Sequence, residues 1–117
     1  MAKQHENLKN FLIIEGDASD FLKIGCGFGG GIEEDCANGV HSIQIIGGKR
    51  LCCDNCMHEF KPNDTVYFVA VLNRILCPEC FTTWYEDAVR YNSDTYIEER
   101  NFRNMKIVLL ANELFEL

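Results

Sequence analysis

With 117 residues, the chain has room for one compact domain and hardly for two independent cores. Apolar residues make up 47%, with eight Phe, four Tyr and one Trp, which suffices for a packed interior and argues against long-range disorder. Eighteen acidic against eleven basic residues leave a formal charge of −7, a field that repels a phosphate backbone and argues against direct nucleic-acid binding.

Residues 1–7 are polar, and the first apolar stretch, residues 11–14, is too short for the core of a secretion signal. No apolar run approaches the roughly 18 to 20 residues a membrane-spanning helix needs, so no membrane association is expected. Seven cysteines is an odd number, and four of them fall in two close pairs that a disulfide framework does not require. A reducing, cytoplasmic setting is therefore expected.

Apolar groups at Leu8, Phe11, Leu12, Ile13 and Ile14, and again at Phe21, Leu22 and Ile24, fit helix or strand equally well. Residues 25–31 are glycine-rich and Glu33-Glu34-Asp35 is acidic, which reads as a surface loop. Its Gly25-Cys26-Gly27-Phe28-Gly29-Gly30 run matches a dinucleotide fingerprint in letters only, because no full helix has room to follow and the acidic cluster repels phosphates. Residues 40–46 are rich in β-branched side chains, Gly47-Gly48 signals a hairpin turn, and residues 49–52 are expected to return as the partner strand. Residues 65–72, Thr-Val-Tyr-Phe-Val-Ala-Val-Leu, form the best strand pattern; Asn73-Arg74 turns, and Ile75-Leu76 runs back. Cys77 then suits a helix N-cap with Pro78 at the first helical position. Phe81, Trp84, Tyr85 and Ala88 follow at i, i+3, i+4 and i+7 as one buried face of a helix ending near Tyr91. Thr95 with Glu98 reads as a capping box for a last helix over residues 96–114, whose end is apolar nearly all round.

The strongest signal is Cys53-Asp54-Asn55-Cys56, a spacer of twenty residues (57–76), then Cys77-Pro78-Glu79-Cys80. Each C-x2-C turn sets two sulfurs on one side of a tight loop, and two such turns close a tetrahedron around one structural Zn2+ with no open position. Cys52 also stands within reach of Cys56; the C-x2-C spacing favours Cys53. A knuckle, a β-hairpin and a helix carrying the second pair in its first turn resemble the treble-clef zinc fingers, and within them half of a LIM domain, over residues 49–91. That resemblance implies a fold and four ligands, Cys53, Cys56, Cys77 and Cys80, and no activity, since the family hosts unrelated functions. A zinc ribbon or rubredoxin site usually has Gly just after each pair, whereas Met57 and Phe81 stand there.

Catalytic alternatives lack parts. A zinc deaminase needs H-x-E ahead of its cysteines, but His58 and Glu59 are adjacent, and Pro78 lies inside the second pair. A treble-clef nuclease needs a further His in the helix after Pro78, and there is none. Cys26, Cys36 and His41 are three candidate ligands of a second metal site without a fourth. The expectation is an α+β single domain, 1–117: an N-terminal extension with a hairpin (1–48), a zinc core (49–91) and a C-terminal helix (92–117). Its expected task is non-enzymatic, with another protein or a second copy held through the C-terminal helix. Two alternatives stand beside it: an acidic inhibitor of phage or mobile-element type that mimics nucleic acid, motivated by charge, and a thiol redox protein using Cys77 at its helix start.

Overall fold

The computed structural model describes residues 1–26, 31–37, 40–46 and 50–117, the two middle segments by their backbone. The fold is mixed α+β. Strands β1 (Ala2–Gln4) and β2 (Ile13–Asp17) open the chain, followed by helix α1 (Ala18–Lys23), strands β3 (Gly31–Ala37) and β4 (Val40–Ile46), and strands β5 (Thr65–Val69) and β6 (Arg74–Leu76). Helices α2 (Pro78–Asp87) and α3 (Thr95–Ala111) and a short strand β7 (Phe115–Glu116) complete it.

Five strands form one sheet in the order β6-β5-β2-β1-β7, antiparallel except where β7 runs parallel to β1. The longest ladder of this sheet joins β2 to β5, from Ile13 opposite Val69 to Asp17 opposite Thr65. The first seventeen residues therefore share a sheet with the hairpin β5–β6, which leads into the second cysteine pair. Gly16 allows the tight spacing there, since a Cβ on it would lie 3.0 Å from the Ala2 side chain of the neighbouring strand.

Alternation along β2 and β5 sorts the residues onto two faces. Tyr67 stacks on Phe81 of α2 with ring centroids 4.3 Å apart, and Phe11 lies 4.8 Å from Trp84, so α2 covers one face. Phe68 points the other way, into a cleft it shares with Asn101 and Met105 of α3. Ile13, Ile14, Phe21, Val66, Val69 and Leu109 are completely buried between these layers.

Several expectations need correction. Residues 13–17 are strand and 18–23 helix, a choice the apolar pattern leaves open because each segment spans too few periods to separate the two. The acidic stretch read as loop is part of β3, and β4 pairs antiparallel with β3 rather than opening a hairpin to a following strand as its first neighbour. The Gly47-Gly48 turn lies outside the described residues, and Cys52 instead bridges Glu59. β-branched residues of β4 support a strand whichever neighbour it takes, so composition leaves the partner open.

Helix α2 stops at Asp87 rather than Tyr91, with Ala88 extended. The Lys9 ammonium reaches across from the N-terminal loop to the carbonyls of Tyr85, Glu86 and Ala88, where it satisfies the open acceptors of the helix end and complements its dipole. Helix α3 ends at Ala111, not Leu114: Glu113 takes a left-handed φ of 58°, the chain reverses, and Phe115 pairs with Ala2.

The capping box also fails, for an instructive reason. Helix α3 starts one residue earlier than the pattern suggests, at Thr95, and the Glu98 side chain turns inward instead of back to the cap. Glu98 is 1% exposed and accepts from Arg90 (2.9 Å to Nη2, 3.0 Å to Nε) and from the Leu12 amide at 3.2 Å. One buried carboxylate thus ties α3, the segment before it and the entry to β2. Truncation to Ala would strand a half-buried guanidinium and a backbone donor. We expect Glu98→Ala to lower stability by about 3 kcal/mol in urea melts, and Glu98→Gln, which keeps an acceptor for Leu12, by distinctly less.

Candidate metal centre

The first cysteine pair sits in a narrow β-like knuckle. Phe60 N donates to Leu51 O at 2.8 Å, Cys53 N to His58 O at 2.9 Å, and Met57 N to Cys53 O at 3.0 Å. This turn requires a left-handed residue at its exit, and Met57 supplies it with φ 65°. The missing glycine is thus no sign of a different turn at this pair; Met57 accepts a strained conformation that glycine would take freely.

The knuckle is fastened to the strand leading into the second pair. Asp54 N donates to Ile75 O at 2.9 Å, and Ile75 N donates to the Asp54 carboxylate at 2.7 Å. Two residues on, Cys77 N donates to Cys53 Sγ at 3.3 Å. Cys77 then caps α2, its sulfur accepting from Cys80 N at 3.4 Å, with Pro78 at the first helical position as expected. Asn55 Nδ2 donates to Cys80 Sγ at 3.3 Å from the opposite pair.

As a result, the sulfurs of Cys53, Cys56, Cys77 and Cys80 all lie within 4.8 Å of one another. The Cys56 and Cys77 sulfurs are 3.9 Å apart, far beyond a disulfide bond. Four sulfurs each about 2.3 Å from a central ion define a tetrahedron with edges of about 3.8 Å. The donor set therefore fits a metal ion. Among the described residues these four form the one such cluster, and Cys52, half-buried on the knuckle, is not part of it.

The four thiols differ in surroundings. Cys53 and Cys77 are buried, Cys80 is half-buried, and Cys56 is exposed. Burial raises the Cys53 thiol, but backbone amides of Cys56, Cys77 and Asn55 outweigh it and bring the pKa down to about 7. Burial pushes Cys77 up to about 12, with the neighbouring sulfurs adding to it. Cys56 is raised as well: the His58 amide lowers it, but desolvation and the sulfurs of Cys53 and Cys80 prevail. A divalent ion replaces these mutual sulfur penalties with attraction, the physical reason such a cluster closes on metal.

A cleft of about 540 Å³ opens beside Cys56, lined by His58, Phe60, Asp64, Thr65, Cys77, Pro78 and Glu79. Of the sequence-derived second site, Cys36 and His41 stand opposite one another in the β3–β4 ladder, described by backbone alone, while Cys26 packs half-buried at the edge of the core. Sequence reasoning missed Asp54, Asn55 and Lys9, whose roles are set by a strand and a helix distant in the chain. Met57 alone had a signal, since the position after a C-x2-C knuckle tends to be left-handed. No helix among the described residues is long and apolar enough to cross a membrane. The chain matches no protein-family model, no curated protein and no solved structure.

Two outcomes follow from this geometry. Met57→Gly should stabilise the metal-loaded protein by about 0.5–1 kcal/mol in denaturant melts, the relief of left-handed strain less the added chain entropy. Metal binding should weaken as pH falls. Cys77 and Cys56 carry protons at pH 7 and must lose them on ligation, and below the Cys53 value of about 7 a third proton competes. Competition titrations with a chromophoric chelator should show apparent affinity dropping roughly a hundredfold or more per pH unit below 7. A flat profile would mean that these thiols are not the ligands.

Proposed function

We propose that the chain is a zinc-stabilised, non-enzymatic interaction module built on a treble-clef core. The observation that carries this reading is the closed four-sulfur cluster. Four thiolates suit zinc, and four protein ligands complete its tetrahedron, leaving no site for an activated water or a substrate. The order around it supports the treble clef: knuckle 51–60, hairpin β5–β6, then α2 with Cys77 as cap and Cys80 in its first turn. An interaction role is supported by α3, which leaves Ile97, Ile107, Val108 and Leu110 exposed after burying Leu109.

The alternatives have less behind them. A redox role for Cys77 needs an accessible thiolate, and its sulfur is buried with a raised pKa. Mimicry of nucleic acid rests on net charge alone, and the outer face of α3 carries exposed arginines.

Elemental analysis and thiol alkylation on one purified sample test the proposal. One zinc per chain is expected, with Cys53, Cys56, Cys77 and Cys80 all protected until a chelator is added. Chelation should also abolish cooperative melting, because structural zinc contributes about 10–16 kcal/mol against the roughly 5–15 kcal/mol that holds a small domain together. A metal-free protein with an unchanged melt after chelation would sink the reading, and rapid alkylation of Cys77 would return redox chemistry to the lead.

A further inference from the structure

Helix α3 carries two seams with the same spacing on opposite sides. The inner one, Glu98, Phe102, Met105 and Leu109, steps by 4, 3 and 4 residues and faces the core: Glu98 and Leu109 are buried, and Phe102 and Met105 pack against the core cluster. The outer one, Tyr96, Arg100, Arg103, Ile107 and Leu110, steps by 4, 3, 4 and 3, and every member is exposed. Tyr96 is 72% exposed, Ile107 55% and Leu110 37%. A 4-3 alternation is the repeat by which one helix packs along another. A helix needs only its inner seam to hold the fold, so the outer repeat calls for a different explanation.

We propose that this outer seam pairs with an acidic helical segment of a different protein. The inference rests on the interaction-module reading and names the partner's chemistry. Arg100 and Arg103 occupy the middle of the seam, and among the described residues neither forms an ion pair; Arg100 only reaches Asn101 Oδ1 at 3.5 Å. In a chain of net charge −7, with acids in excess elsewhere, two unpaired guanidiniums flanked by apolar seam residues single out carboxylates between apolar neighbours on the partner.

A second copy is the wrong occupant. Parallel pairing sets Arg100 against Arg100 and Arg103 against Arg103, and antiparallel pairing sets Arg100 against Arg103. Either way four cations meet at the seam's centre, a like-charge juxtaposition that a partner carrying carboxylates there avoids. The area is also small. Seventeen helical residues span about 25 Å, and one face of such a helix falls well short of the roughly 800 Å² per partner of a stable interface. A single docked helix with a micromolar dissociation constant suits these dimensions.

The test uses the intact zinc-loaded protein and two fluorescent helix-forming peptides of about 18 residues, with Leu at the outer seam positions and either Glu or Lys at the two central ones. The Glu peptide should bind at micromolar concentration and the Lys peptide at least tenfold more weakly. The double variant Arg100→Glu, Arg103→Glu lies on an exposed face and should melt like the parent while reversing that preference. Equal binding of both peptides, or no reversal in the double variant, overturns the proposal. Concentration-dependent dimerisation in sedimentation, abolished by Ile107→Glu, overturns it in favour of a second copy and leaves the interaction reading intact. If neither peptide binds and the zinc-loaded protein stays monomeric, both the acidic-partner proposal and interaction through α3 fall, while zinc content still reports on the metal core separately.

Discussion

The fold depends on closing a gap between two cysteine pairs that are 24 residues apart in sequence, from Cys53 to Cys77. Metal attraction alone does not set that closure. Asp54 binds Ile75 through both its amide and its carboxylate, and the Cys77 amide then points at Cys53 Sγ. Backbone hydrogen bonds therefore bring the knuckle and the helix start into register before a ligand is counted. The β5–β6 hairpin between them makes this inexpensive in chain entropy, since it replaces a floppy loop with a fixed turn. Pre-organisation of this kind concentrates the sulfurs, and their mutual repulsion as thiolates gives the metal its leverage.

The rest of the chain is fastened to that core by polar contacts from an unexpected direction. The loop between β1 and β2 supplies Lys9 to the end of α2 and the Leu12 amide to Glu98 on α3. Asn7 braces the loop from within, its side chain bonding both the amide and the carbonyl of Phe11. Both C-terminal helices are thus positioned by residues near the N-terminus, in addition to the sheet contacts of β2 with β5. Loss of this loop would release α2 and α3 together, although the four sulfurs lie on other segments.

Local chemistry made the four-cysteine cluster and the elements around it legible in the sequence. The C-x2-C spacing, the Cys77-Pro78 helix start and the β-rich run from Thr65 each report on their own neighbourhood; the first two appear where expected, and the strand ends at Val69, three residues short of the expected 65–72. What stayed hidden required knowledge of distant partners. Glu98 looks like a capping residue because Thr95 precedes it by three, but a half-buried Arg90 and the Leu12 amide offer it more than a solvated cap does. Residues 33–35 look like a loop because they are acidic, yet strand pairing is a backbone property and β4 takes them as its neighbour. Residues 13–17 carried no distinguishing period, and only the ladder to β5 makes them central.

The contrast between the two sides of α3 extends this point. Its inner seam opens on a carboxylate and its outer seam holds two guanidiniums at its centre, so each apolar repeat carries a polar signature. Inside, the polar group is satisfied by residues from this chain, and Glu98 consequently fixes the helix to the body. Outside, neither Arg100 nor Arg103 forms an ion pair among the described residues, and Arg100 reaches only Asn101 Oδ1. A buried polar residue in a helical seam chooses register and partner at some expense of affinity. The same logic that pins α3 to its own core through one acid would let its other face discriminate among partners through two bases. Affinity would come from Tyr96, Ile107 and Leu110, and choice from the arginines between them.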